Sequence, residues 1–139
     1  MATRLSSIRI AEETRREIEE ICRRTGRDFS AVVNEILTEA MKMRRIPGIV
    51  FADGVTRRVP RIAGTGIEVF EVVRDYRAMD NNWESLKEAY HWLSEQQLLA
   101  ALAYAKAFPG EIEERLRDEE RWQPEIVWSR YPFTRPQRS

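Results

Sequence analysis

The chain has one cysteine, Cys22, and one histidine, His91. A single cysteine closes no disulfide within the chain. The two residues lie about seventy positions apart, which is not the spacing of a His/Cys metal cluster and gives no local Cys-His nucleophile pair. Long apolar runs are also missing. Charge breaks every hydrophobic tract well short of the roughly 20 residues that a membrane-spanning helix needs. The first ten residues contain Arg4 and Arg9 and lack the apolar centre of a secretory signal. Gly64-Thr65-Gly66 has no lysine after it, so it reads as a tight turn before a helix and not as a phosphate cradle. There is no internal repeat and no low-complexity segment. The expectation is a cytoplasmic, non-enzymatic protein with no membrane partner, metal or cofactor.

What is present is unevenly distributed. The 23 basic and 23 acidic residues cancel over the whole chain. Residues 1–45 carry 10 Lys/Arg and 8 Asp/Glu, residues 46–120 carry 9 and 14, and residues 121–139 carry 4 and 1. A slightly basic front, an acidic body and a basic tail are therefore three electrostatic objects, and the first and last are the ones drawn to an anionic surface. The length suits one small domain plus one compact second domain.

The hydrophobic period of the front third changes from two to about 3.6 residues. Ser6, Ile8 and Ile10 fall on one side of a short strand, with Leu5, Ser7 and Arg9 on the other. Thr14, Ile18, Ile21, Cys22 and Thr25 then form a helical stripe that Gly26 ends. Asp28 caps a second helix whose stripe is Phe29, Val32, Val33, Ile36, Leu37, Ala40 and Met41. A unit of about 40 residues lies at the size below which a chain needs a disulfide, a metal or a partner. Strand, helix, helix in this order resembles the ribbon-helix-helix repressors of the Arc and MetJ type. The resemblance implies a homodimer, or a higher even oligomer, whose two strands pair antiparallel and enter the major groove of DNA. It assigns Leu5, Ser7 and Arg9 to the base edges and the start of the second helix, at Phe29 and Ser30, to a phosphate. The competing reading is an amphipathic helical hairpin with Arg9 as a solvated charge. That reading leaves an alternating Ser-Ile-Arg-Ile segment with nothing to pair with.

Arg45-Ile46-Pro47-Gly48 supplies a stop and a change of direction. Residues 49–52, Asp53-Gly54 and residues 55–59 predict a β-hairpin with a two-residue type I′ turn. A helix with Val69, Val72, Val73 and Tyr76 on one face should follow. After it comes one with Leu86, Ala89 and Tyr90, then one capped by Ser94 and Gln97 with Leu98, Ala101, Leu102 and Ala105 inside. His91 reads as a packing residue at a helix end. The sequence Pro-Arg-Ile-Ala-Gly-Thr-Gly-Ile-Glu-Val at residues 60–69 and the later Ala-Leu-Ala-Tyr at residues 101–104 resemble the domain-of-unknown-function family 433. Gly66 and Glu68 stand where that family more commonly has Arg and Pro. The resemblance implies a small helix-turn-helix-like domain and a likeness to antitoxins whose paired toxin is a PIN-like ribonuclease. Arg57, Arg58 and Arg61 face either nucleic acid or the domain's own acidic surface. The carboxylates of residues 111–120 sit all round a helix and read as a solvated face.

The tail from Arg121 has Trp122, Trp128, Tyr131 and Phe133 among four arginines, with three prolines that preclude a regular helix. Disordered tails are usually poor in aromatics, so something should receive these rings. Either the tail packs across its own domain, or it folds on a partner protein through Trp122, Trp128, Arg130, Tyr131 and Phe133. Taken together, the expected fold class is mainly α with short β elements: a ribbon-helix-helix DNA-binding dimer, then a small hairpin and helical domain. The expected function is an antitoxin that represses its own promoter and holds a PIN-like toxin. A stand-alone transcriptional regulator is the alternative, and an enzyme acting on nucleic acid is a third class.

Overall fold

Residues 2–121 and 128–136 are described by a computed structural model and fall into two units, Met1–Arg44 and Arg45–Ser139. In the first, helix α1 spans Glu12–Thr25 and α2 spans Phe29–Arg45. Glu12 and Glu13 at the start of α1 and Arg23 and Arg24 at its end match the sign of the helix dipole. Gly26 takes φ 69° and donates its N–H to the Cys22 carbonyl at 2.9 Å, a left-handed stop that is cheap for glycine. Asp28 Oδ1 accepts from the Ala31 N–H at 2.8 Å, the expected cap of α2. Ile18 and Val32 are buried, and Ile21, Cys22, Phe29 and Val33 are half-buried. The outer part of the α2 stripe is not covered: Leu37 is 52% and Met41 64% exposed, and Ile36 is exposed too.

The strand expected over residues 5–10 is absent from the single chain. Residues 2–11 have no regular secondary structure, and all but Ile10 are exposed. A strand is held by backbone bonds to a neighbour, and among the described residues nothing pairs with this one.

The second unit opens with an antiparallel hairpin, β1 at Ile49–Asp53 and β2 at Arg58–Ile62, in the register Ile49↔Ile62 to Asp53↔Arg58. This corrects the expected turn. Asp53 belongs to the first strand, and residues 54–57 form a longer loop in which the Gly54 N–H reaches the Arg57 carbonyl at 2.7 Å. Gly54 does not take a positive φ, so its role is space and not left-handedness. A Cβ there would meet the Arg57 carbonyl oxygen at 2.7 Å and Val59 Cγ1 at 3.0 Å. The longer loop also carries Pro60-Arg61-Ile62 into β2. Pro60 occupies a position whose missing N–H faces away from β1, since the bonded pairs that flank the strands are Ala63 to Gly48 and Gly54 to Arg57.

Helices α3 (Val69–Ala78), α4 (Trp83–Ala89), α5 (Glu95–Ala107) and α6 (Pro109–Arg121) follow. The turn at residues 62–67 is the tight one expected: Gly64 has φ 79°, and Thr65 Oγ1 both donates to the Ile62 carbonyl and accepts from the Ile67 N–H. Glu68 and Glu71 form a capping box on α3, and Ser94 and Gln97 form the expected one on α5. Val69, Val72 and Val73 of α3, Leu86 and Tyr90, and Leu98 and Ala101 of α5 enclose the core with Ile49 and Ile62. Ala89 is exposed, contrary to expectation, because α4 is under two turns long and turns Leu86 and, in part, Trp83 to the core. Tyr104 is the largest fully buried side chain, packed edge-on to Phe51 at 6.1 Å and tilted on Phe108 at 4.9 Å. Gly48, at φ 95°, lets the chain pass α5: a Cβ there would lie 3.4 Å from that of Ala100.

Candidate functional site

At the front of the first unit the side chains assigned to base edges, Leu5, Ser7 and Arg9, are all exposed on the irregular segment. The start of α2 is built as a helix N-terminus should be. Asp28 takes the Ala31 N–H with its side chain and the Val32 N–H with its carbonyl, so the N–H groups of Phe29 and Ser30 are left without an acceptor among the described residues. Ser30 is exposed. Phe29 is half-buried with the Arg15 guanidinium 4.9 Å over its ring, so its side chain joins the two helices while its backbone is the part available to an anion. The Asp28 carboxylate opposes that anion.

In the tail, Trp122 lies outside the described residues. Trp128 is half-buried with Arg135 5.8 Å over its ring, and Arg130 is exposed. A short 3-10 turn, Pro132–Thr134, sets the Tyr131 and Phe133 rings 6.1 Å apart in an edge-on pair, and Phe133 is 85% exposed.

The third feature was only half legible in the sequence. The carboxylates of α6 are not simply solvated, because several meet arginines from earlier elements. Arg57 pairs with Asp118 and lies 3.9 Å from Glu114, Arg74 lies 3.5 Å from Glu119, and Arg77 pairs with Glu113. Arg115 of α6 answers in the other direction: it lies 3.5 Å from Glu68 and stacks 3.9 Å over Phe70. Arg77 holds the Glu113 carboxyl below its usual range, chiefly through their hydrogen bond. Inside, Tyr104 donates to Glu111 at 2.7 Å and Tyr90 to Asp75 at 2.5 Å. Burial first, and the Asp75 bond second, push the Tyr90 phenol well above its ordinary value. The question left open for the cluster at residues 57–61 thus divides. Arg57 faces the domain's own acids, Arg58 lies 3.1 Å from Asp53, and the Arg61 side chain has no ion pair among the described residues, its Nε being buried without a hydrogen-bond partner.

Arg61 lines an open cleft of about 1070 Å³ between the 54–57 loop and α6, entirely within the second unit. Among the described residues, no group of three or more His, Cys, Asp or Glu side chains is placed to hold a metal. His91 is exposed, edge-on to Trp92 at 5.2 Å, and does not pack a helix end as expected. No helix of the described residues is long and apolar enough to cross a membrane.

Residues 49–105, from β1 into α5, match the family described as "Protein of unknown function (DUF433)". Both motifs that carried the resemblance lie inside that match. No curated protein and no solved structure matches the chain.

Proposed function

We propose that the chain is a dimeric DNA-binding autorepressor that also serves as the antitoxin of a PIN-like ribonuclease. The observation that carries the DNA-binding half is the uncovered apolar surface of the first unit. Ile8, Ile36, Leu37 and Met41 are all exposed, and the segment that holds Ile8 has strand periodicity but no strand to pair with among the described residues. Burying a side chain of this size is worth about 1.5 to 3 kcal/mol. A second copy that supplied the missing strand would cover this surface, and antiparallel pairing would turn Leu5, Ser7 and Arg9 outward together. Two N–H groups without acceptors at the start of α2 would then take a backbone phosphate on each side.

The antitoxin half rests on the family resemblance and on the tail. Tyr131, Phe133 and Arg130 are exposed, which is the composition of an interface anchor, and an arginine delivered to a cluster of metal-binding carboxylates can replace the metal's charge. The test uses a palindromic fragment of the chain's own promoter at fixed salt. Arg9→Ala should weaken binding by about 1 to 3 kcal/mol per contact and relax preference at one base position of each half-site. Equal affinity of the mutant and the parent chain would remove the major-groove assignment.

A further inference from the structure

We propose that the outer face of α5 is a self-association surface, on which a second copy of this chain lays its own α5 antiparallel, Leu99 of each copy fitting beside Ala103 of the other. This inference concerns the second unit alone and stands whether or not the first unit binds DNA.

Helix α5 is apolar on nearly every side. From Leu98 to Ala105 every residue is aliphatic or aromatic, and a helix that is hydrophobic all round is normally buried all round. Here only one side is covered. Leu98, Ala101 and Tyr104 face the core, whereas Gln96, Leu99, Ala103 and Lys106 are exposed, at the spacings of three and four residues that put them in one row. Leu99 is 52% exposed. Trp92, just before the Ser94 cap, is 61% exposed, with its ring 5.5 Å from that of Tyr90.

One exposed leucine is ordinary, but the order of this row matches itself when a second α5 runs the other way. About a two-fold axis at the level of Ala101, midway between Leu99 and Ala103, the large side chain of each copy meets the small one of the other, which lets the two helices approach to about 8 Å. Charge follows the same axis. Glu84 and Glu95 near the N-terminal end share Lys87 and leave one negative charge over, while the C-terminal end carries the exposed Lys106. An antiparallel partner sets each end against its opposite, and a parallel one would set leucine on leucine and lysine on lysine. The same operation brings Trp92 to the end where Pro109 and Gly110 are exposed. Helix α5 has 13 residues, a length of about 20 Å. Such a contact falls below the roughly 1,200 Å² of a standard interface, so the pairing is weak, with a Kd on the order of 0.1 mM.

The test is sedimentation equilibrium of the full chain carrying Leu37→Glu, which removes the pairing proposed for the first unit. That chain should be mostly monomer at about 10 µM and mostly dimer at about 1 mM. Adding Leu99→Glu should weaken the association at least about tenfold, because it puts a carboxylate into the apolar contact, and adding Ala103→Lys instead should do the same. Helix content by circular dichroism should not change, since both positions are exposed. An equimolar mixture of the two variants should then associate at least about tenfold more tightly than either alone, because the carboxylate introduced at position 99 of one copy faces the ammonium introduced at position 103 of the other. A monomer at the higher concentration would overturn the proposal. Association that ignores Leu99→Glu would place the contact on another surface, and mixing without rescue would remove the antiparallel register; either result overturns it as well.

Discussion

Single side chains in the second unit do work that their neighbours in sequence do not reveal. Gly54 sits where a methyl group would collide with backbone, so Gly54→Ala should destabilise the unit by about 1 to 3 kcal/mol, read by urea denaturation. The Tyr90 phenol, raised by burial and by Asp75, keeps its proton in the folded state while the unfolded chain releases it near about pH 10. Its contribution is present below that pH and is lost as pH rises toward the folded value. Tyr90→Phe should therefore flatten the alkaline fall in stability relative to the parent chain. An unchanged slope between pH 9 and pH 11, roughly the window in which unfolded tyrosine titrates, would mean that the phenol is not held as described.

At the scale of elements, α2 and α6 solve opposite problems. Helix α6 lays a carboxylate-rich surface onto arginines of the 54–57 loop and α3. Each exposed pair is worth only about 0 to 1 kcal/mol, so the pairs orient the helix more than they stabilise it. The apolar anchor is Ile112, which is buried. Helix α2 instead leaves Leu37 and Met41 uncovered at its outer face. If a second copy covers them, Leu37→Glu should shift the chain to monomer in sedimentation and weaken promoter binding in proportion, with helix content unchanged by circular dichroism. A dimer that survives that change would have to be built on another surface.

For the whole molecule, the uneven charge gives each part its own reach. The acidic middle, with 14 Asp/Glu against 9 Lys/Arg over residues 46–120, is repelled by DNA, and several of its carboxylates pair with its own arginines. Under the proposed function, DNA contact would fall to the front and partner contact to the tail. A chain ending at Glu120 should bind the promoter as the full chain does but no longer inhibit the toxin's nuclease activity. Trp128→Ala with Arg130→Ala should do most of the same. Full inhibition by the shortened chain would move toxin binding to the helical body.

Local rules and periodicity were enough for much of this protein. The stop at Gly26, the cap at Asp28, the box at Ser94 and Gln97, and the Val69, Val72, Val73 and Tyr76 face are interactions within a few residues, so their causes lie side by side in the chain. The family match of residues 49–105 was legible for the same reason, in two short motifs. Long-range facts were not. The four-residue hairpin loop was hidden because Asp-Gly suits a tighter turn, and only the pairing of Asp53 with Arg58 decides between them. The burial of Tyr104, the exposure of His91 and the answering arginines of α6 depend on which surfaces meet. Arg61 is the clearest case: within the motif it is one basic residue of three. Its distinction is that folding gives Arg57, Arg58 and Arg115 their carboxylates and brings none to it, which is a property of three-dimensional neighbours and has no local sequence signal.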